Sequence, residues 1–222
     1  MSWVLRFVVG VATLSVLFVL LTDGRYFGKG LMLWIYDRMG PAMFGARSEH
    51  EQWRSVVEKL GLRGDERVLD VGTAVGELPL TLAATDGFLG HVTGVDWSPR
   101  MIDAATDAAT RRRLEERVTF QVADLRDGLP FEDGEFDVVF CQGLLETMPS
   151  PGEALLELRR VLAPTGTMVL SLYQRGLSSK VAALSLDWYE RQLSPLGLGD
   201  VRVAPFRRRQ EVVVAQAKAP PA

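Results

Sequence analysis

Val68-Leu69-Asp70-Val71-Gly72-Thr73-Ala74-Val75-Gly76 is a short apolar run that opens into a loop bracketed by two glycines. Arg67 to Gly72 reads as a buried strand. Gly72 permits a tight turn, and Gly76 lets a following helix, expected over Glu77 to Ala84, approach a ligand through backbone N–H groups. Outward from this unit the pattern repeats. His91 to Asp96, Val118 to Ala123, Phe136 to Cys141 and Thr167 to Tyr173 read as further strands. Between them lie helices: one from Ser98-Pro99 toward Arg113, one capped by Ser150-Pro151-Gly152-Glu153 and carrying Leu155, Leu158, Val161 and Leu162, and one over Ser178 to Leu193. Upstream, Ser48 with Glu51 makes a capping box for a helix through Trp53, Val56, Val57 and Leu60 to Gly61. Val201 to Phe206 and Glu211 to Gln216 close the chain as a hairpin. Strands alternating with helices demand a parallel sheet covered on both faces, so the fold class is α/β, a doubly wound seven-stranded sheet with a C-terminal β-hairpin.

The 222 residues have room for one domain and an extension, at net charge -3 with 47% hydrophobic and 24% charged residues. An acidic balance lacks the basic footprint of a general nucleic-acid binder. One cysteine and two histidines exclude a disulfide scaffold and speak against a cysteine-rich zinc site, so no metal is expected. Arg111-Arg112-Arg113 and Arg207-Arg208-Arg209 read as solvated faces, with contact to anionic lipid as the alternative.

Trp3 to Leu21 is nearly all apolar, broken only by Arg6, Gly10, Thr13 and Ser15, and has the length a helix needs to cross a bilayer. It lacks the polar stripe of a core helix and the small-residue site of a cleaved signal. Residues 1–22 are therefore expected to be an uncleaved membrane anchor. Residues 23–45 carry Phe27, Leu31, Trp34, Ile35, Tyr36, Met39 and Phe44 but are interrupted by Gly28, Gly30, Asp37, Arg38, Gly40 and Pro41. They read either as an interfacial helix with Trp34 and Tyr36 at headgroup level or as a cover packed on the domain. The domain proper is expected over 46–217, with a frayed tail at 218–222.

In a doubly wound sheet, ligands bind beyond the carboxyl ends of the strands, where the strand order reverses. A dinucleotide fingerprint would need a third glycine where Glu77 stands, and a P-loop its Gly-Lys-Ser/Thr end. Glu77 at the mouth would also repel a pyrophosphate, so the loop suits a ligand without phosphates. Asp96, at the end of the second strand, is placed to accept hydrogen bonds from a ribose diol.

Ordered blocks run across residues 65 to 175: Val68 to Gly76, Gly94-Val95-Asp96-Trp97-Ser98-Pro99-Arg100-Met101, Ala123-Asp124-Leu125 followed by Leu129-Pro130-Phe131 and Phe136-Asp137-Val138-Val139, and Leu158 to Gly166. Together they resemble the class I S-adenosylmethionine-dependent methyltransferases, in particular the group related to ubiquinone/menaquinone-biosynthesis methyltransferases. The resemblance implies a Rossmann-like fold and S-adenosylmethionine as cofactor. By position it implies Gly72, Thr73, Ala74 and Gly76 against the methionyl and ribose part, with Asp70 supporting the amino group. It puts Asp96 on the ribose hydroxyls, Trp97 and Met101 around the adenine, Asp124 on the adenine amino group with Leu125 beside the ring, and Gln142 at the methionine end. Ala74 stands where the family usually has a glycine, and Thr165 replaces the first glycine of the usual turn. Each residue also has a plainer reading: loop cap for Asp70, helix start for Asp96, core for Trp97 and Met101, turn former for Asp124.

Glu146, in the loop after the fourth strand, is the candidate general base, and a solvated loop carboxylate is the alternative; His50 and Tyr36 are weaker options. Cys141 reads as a small apolar strand residue. The expectation is a membrane-anchored methyltransferase with its domain on the cytoplasmic side, acting on a small lipophilic acceptor such as a quinone precursor, lipid or hydrophobic metabolite. The alternatives are a tethered cofactor-binding or scaffold protein without turnover and, third, a nicotinamide oxidoreductase, which would want a Tyr-x-x-x-Lys pair.

Overall fold

The structure is a computed structural model that describes residue 10 and residues 29–45, 50–173, 184–207 and 210–218. Its framework is one seven-stranded sheet in the order β3-β2-β1-β4-β5-β7-β6. The strands are β1 (Arg67–Val71), β2 (His91–Asp96), β3 (Val118–Val122), β4 (Phe136–Cys141), β5 (Leu162–Tyr173), β6 (Leu198–Arg207) and β7 (Gln210–Ala217). β1 to β5 are parallel, while β7 inserts antiparallel between β5 and β6. The order reverses between β1 and β4, so the crevice for a ligand opens above the carboxyl ends of those two strands.

Among the described residues the α-helices that flank this sheet are α1 (Lys29–Gly45), α2 (His50–Leu60), α3 (Glu77–Ala83), α4 (Pro99–Arg112), α5 (Pro151–Val161) and α6 (Leu186–Leu193). Past the exposed Arg67, β1 is buried on both faces and carries Asp70 as its one polar residue, because it lies between β2 and β4 with a core on each side. One core joins Leu69, Val139, Leu155, Leu158, Met168, Leu170 and Tyr189; the other joins Trp53, Val68, Leu80, Phe140, Val169 and Val212. The alternation along β1, Val68 to one side and Leu69 to the other, is the two-residue period of a strand buried on both faces.

Boundaries follow local chemistry. Ser98 caps α4 by accepting from the Met101 N–H at 3.2 Å, with Pro99 at the first helical position. Ser185 caps α6, so the last helix starts at Leu186 rather than at Ser178; the stretch 174–183 lies outside the described residues. Ser150 makes no side-chain cap bond, and Pro151 supplies the helix start. β5 begins at Leu162, five residues before the expected Thr167, with an irregularity against β4.

The expected anchor over 1–22 and the Ser48 of the capping box lie outside the described residues, apart from Gly10. Among the described residues no helix is long and apolar enough to cross a membrane. α1 is a helix with two faces. Tyr36, Asp37 and the buried Gly40 turn toward the start of α4, whereas Trp34, Arg38, Met39 and Ala42 are exposed. Tyr36 packs edge-on against Trp97 with ring centroids 5.9 Å apart. Tyr36 therefore does not share an outer face with Trp34, since residues two apart on a helix point in nearly opposite directions.

Candidate functional site

The β1 turn is tied to β2 by its own backbone. The Gly72 and Thr73 N–H groups both donate to the Val95 carbonyl at 2.9 Å, and the Gly76 N–H donates to the Thr73 carbonyl. Gly72 (φ 82°), Ala74 (φ 48°) and Gly76 (φ 78°) are all left-handed. The glycine at 76 has a packing cause as well: a Cβ there would stand 2.7 Å from the Phe120 ring, and one at Gly94 would meet the same ring at 2.7 Å. Phe120 fills the space the two glycines leave, a role that no motif in the sequence signals.

Asp96 closes this turn. Its Oδ2 accepts from the Ala74 N–H at 2.9 Å and its Oδ1 from the Ser98 N–H at 3.0 Å. The residue is 8% exposed, and burial raises its pKa, opposed by the backbone N–H groups of Ser98, Ala74 and Trp97 and reinforced by Asp37. Asp37 reaches it from α1, where its Oδ1 accepts a hydrogen bond from Ser98 Oγ. Burial likewise pushes Asp70 up to about 7, with Asp96 adding to the rise. The Thr73 hydroxyl opposes that rise from beside the carboxyl, short of full hydrogen-bond geometry. Glu77 opens α3 with its carboxylate 3.8 Å from Arg112 on α4.

Trp97 is half-buried, while Met101 and Leu125 are buried. Asp124 caps the short turn Leu125–Asp127, accepting from the Arg126 N–H at 3.0 Å. The Arg126 guanidinium then forks onto the same carboxylate, Nε to Oδ1 at 2.9 Å and Nη2 to Oδ2 at 2.8 Å, and lies 4.6 Å from the Trp97 ring centroid. Sequence reasoning named Asp124 and Trp97 but passed over the arginine that joins them.

A second acidic centre lies at the carboxyl ends of β4 and β5. Glu146 is 5% exposed, which removes the solvated-loop alternative. Ser171 Oγ donates to Glu146 Oε1 at 2.8 Å, and the Gly143 N–H donates to Ser171 Oγ at 2.9 Å. The Tyr189 hydroxyl donates to the Ser171 carbonyl at 2.8 Å. Burial pushes Glu146 up to about 7, eased by the Ser171 bond. The same burial, together with the Glu146 charge, raises Tyr189 and Cys141, so both stay neutral. Cys141 is a fully buried strand residue, as its sequence context implied. Ser171, a lone hydroxyl in the apolar run Met168 to Leu172, was the available and unread signal for this centre.

A family model described as a methyltransferase domain matches residues 62–194, more than half of the chain. The chain belongs to this methyltransferase family. Among its relatives, the 27-O-demethylrifamycin SV methyltransferase of Amycolatopsis mediterranei (strain S699) is 32% identical over 63% of this chain and 56% of its own length. The ubiquinone/menaquinone biosynthesis C-methyltransferase UbiE of Citrifermentans bemidjiense is 33% identical over 54% of this chain and 51% of its own. The chain thus spans about half the length of the curated relatives it matches. The crystal structure of a SAM-dependent methyltransferase from Aquifex aeolicus shares the fold, with a TM-score of 0.65 at 23% identity over 75% of this chain and 89% of that one.

S-adenosylmethionine is the cofactor of this methyltransferase domain, and the residues present fit it. Gln142, just past β4, keeps a buried Oε1 without a hydrogen-bond partner among the described residues, an acceptor suited to a charged amine. Its Nε2 donates to the Val169 carbonyl at 3.3 Å, which fixes the amide. A carboxylate offers about four acceptor positions, so Asp96 keeps capacity for a ribose hydroxyl beyond the backbone N–H groups it accepts. At Ala74 the methyl group that replaces the usual glycine hydrogen sits on backbone already turned left-handed, and its N–H still reaches Asp96.

Proposed function

We propose that this chain is an S-adenosylmethionine-dependent methyltransferase that transfers a methyl group to a small, lipophilic acceptor carrying an ionisable hydroxyl or acidic carbon. The observation that carries the reading is the pairing of two buried acidic centres across the strand-order reversal. Asp96 with Asp70 stands at the ends of β2 and β1, and Glu146 stands beyond β4.

On this reading Asp96 takes the ribose hydroxyls, and Asp70 and Gln142 Oε1 attract the methionyl ammonium. Gly72, Thr73, Ala74 and Gly76 line the approach; Trp97, Met101, Asp124 and Leu125 surround the adenine. When bound, S-adenosylmethionine supplies an electrophilic methyl group on a sulfonium. The chain's own contribution is to hold an acceptor in line, keep water out and take a proton. Glu146 is suited to the last task. A carboxyl poised near 7 exchanges a proton at neutral pH, and Ser171 Oγ can serve either of its ionisation states.

The lipophilic acceptor and a membrane location are supported from three directions. The relatives are named for rifamycin and quinone substrates. α1 exposes Trp34 and Met39 on the face turned away from the domain. The 19-residue apolar stretch Trp3 to Leu21 precedes it in sequence. We place the domain on the cytoplasmic side, where the donor is made.

The test is to incubate the full chain in detergent with methyl-labelled donor and a reduced native lipid extract, and to identify the labelled product by mass. A labelled organic-phase product is expected. Label confined to water-soluble products would remove the lipophilic acceptor, and tight nicotinamide binding without donor binding would overturn the methyltransferase reading.

A further inference from the structure

Arg126 occupies two of the four residues assigned above to the adenine ring, Trp97 and Asp124. Its guanidinium lies 4.6 Å from the Trp97 ring centroid, and its Nε and Nη2 take both oxygens of Asp124 at 2.9 and 2.8 Å. A planar fork of this kind satisfies a carboxylate bidentately and stacks on an aromatic face, so it presents to each group what an adenine with its exocyclic amine would present. Arg126 sits at the surface, one third of its side chain exposed, whereas the Asp124 side chain is 12% exposed. The arginine can therefore leave toward solvent without disturbing the core. Its departure also leaves the local fold intact, because the Asp124 cap is made to the backbone N–H of residue 126 and not to the side chain.

We infer that Arg126 is a plug of the adenine subsite: it competes with the ring for Asp124 and Trp97 and swings out when cofactor enters. The inference rests on the adenine assignment of those two residues. A site that is open only part of the time binds with an affinity reduced by the open fraction. Removing the plug should therefore tighten binding of every ligand that carries an adenine, by one common factor. A mere loss of positive charge near the site would act differently, favouring cationic S-adenosylmethionine and leaving neutral adenosine alone.

The experiment is calorimetric titration of wild type, Arg126→Ala and Arg126→Lys with S-adenosylmethionine, S-adenosylhomocysteine and adenosine. Alanine should lower all three dissociation constants by roughly three- to tenfold. Lysine, which keeps the charge but neither forks nor stacks flat, should follow alanine. Unchanged or weaker binding, or a gain for the cationic ligand alone, overturns the plug. Trp97→Leu in the Arg126→Ala background separates the two layers. If it leaves adenosine affinity untouched, the adenine assignment fails and the inference falls with it. If it weakens adenosine while Arg126→Ala had given no gain, only the plug is lost.

Discussion

The two acidic centres of this molecule sit on neighbouring strands and are held in different ways. At the ends of β1 and β2, Asp96 is fixed by backbone N–H groups of Ala74 and Ser98, donors that accept nothing back and favour the anion. At the ends of β4 and β5, Glu146 is held by the Ser171 hydroxyl, which donates to a carboxylate and can equally accept from a carboxylic acid. Backbone donors make a fixed recognition element. A hydroxyl partner makes a group that can change its proton count without losing its place. The first arrangement suits gripping a cofactor and the second suits general acid–base work.

The largest expected effect breaks this division directly. Glu146→Gln keeps the size and a hydrogen-bond acceptor but cannot take a proton. Methyl transfer to the acceptor should fall by about a hundredfold or more, the scale of a lost general base, while donor affinity stays within about twofold. Equal loss of both would make Glu146 a structural residue. On the other side, Asp96→Ala should weaken donor binding by roughly ten- to a hundredfold by calorimetry, since a charged acceptor is removed and two loop N–H groups are stranded. Unchanged affinity would remove the carboxylate from the cofactor site altogether.

A third test uses pH. Asp70 and Glu146 both have folded-state values raised to about 7 from 3.8 and 4.5, so the folded chain keeps protons that the unfolded chain releases from about pH 4 upward. The stability they contribute is present below that range and is lost as pH rises toward 7, at up to about 1.4 kcal/mol per pH unit for each group. Thermal unfolding of wild type, Asp70→Asn and Glu146→Gln between pH 5 and 8 checks this. Each variant should show a shallower fall than wild type over pH 5 to 7, and the curves should run parallel above it. Donor affinity should rise over the same window in wild type, because the cation favours ionised Asp70, and should do so less in Asp70→Asn.

How much of this was legible in the sequence differs between the two centres for a physical reason. The β1–β2 side is built from local pieces: a strand, a glycine turn, an acidic strand end and a Ser-Pro helix start each leave a short-range signature. Recognising those units as strands joined by helices gives a parallel, doubly wound sheet, though not the order of its strands. Asp96 could therefore be placed in advance at a strand end, while Asp70 and Ala74 were named through the family resemblance that these pieces carry. The β4–β5 side is assembled from residues far apart in the chain, Glu146 with Ser171 and Tyr189, and only packing shows that the carboxyl is buried among them. Phe120 was hidden for the same reason, because the glycines it fills lie on a different strand and turn. Arg126 was missed although it stands two residues from Asp124. An arginine at the surface has no periodicity to betray what it stacks on.

The smallest expected effect concerns the rigidity of the β1 turn. Ala74 is held at φ 48°, where its Cβ crowds the backbone, and the turn keeps it there through the bonds of Gly72, Thr73 and Gly76 and its own N–H to Asp96. Left-handed geometry costs an alanine about 1 kcal/mol that a glycine escapes, and the greater freedom of glycine in the unfolded chain offsets part of the gain. Ala74→Gly should therefore raise stability by roughly 0.5 kcal/mol in thermal unfolding. Donor affinity should stay within about twofold, because the N–H that meets Asp96 is unchanged. A lower unfolding temperature would mean that the turn is not strained. A substantial loss of donor affinity at unchanged stability would mean that the alanine methyl stiffens the loop for binding, and that this side of the molecule owes its fixed geometry to a side chain as well as to the backbone.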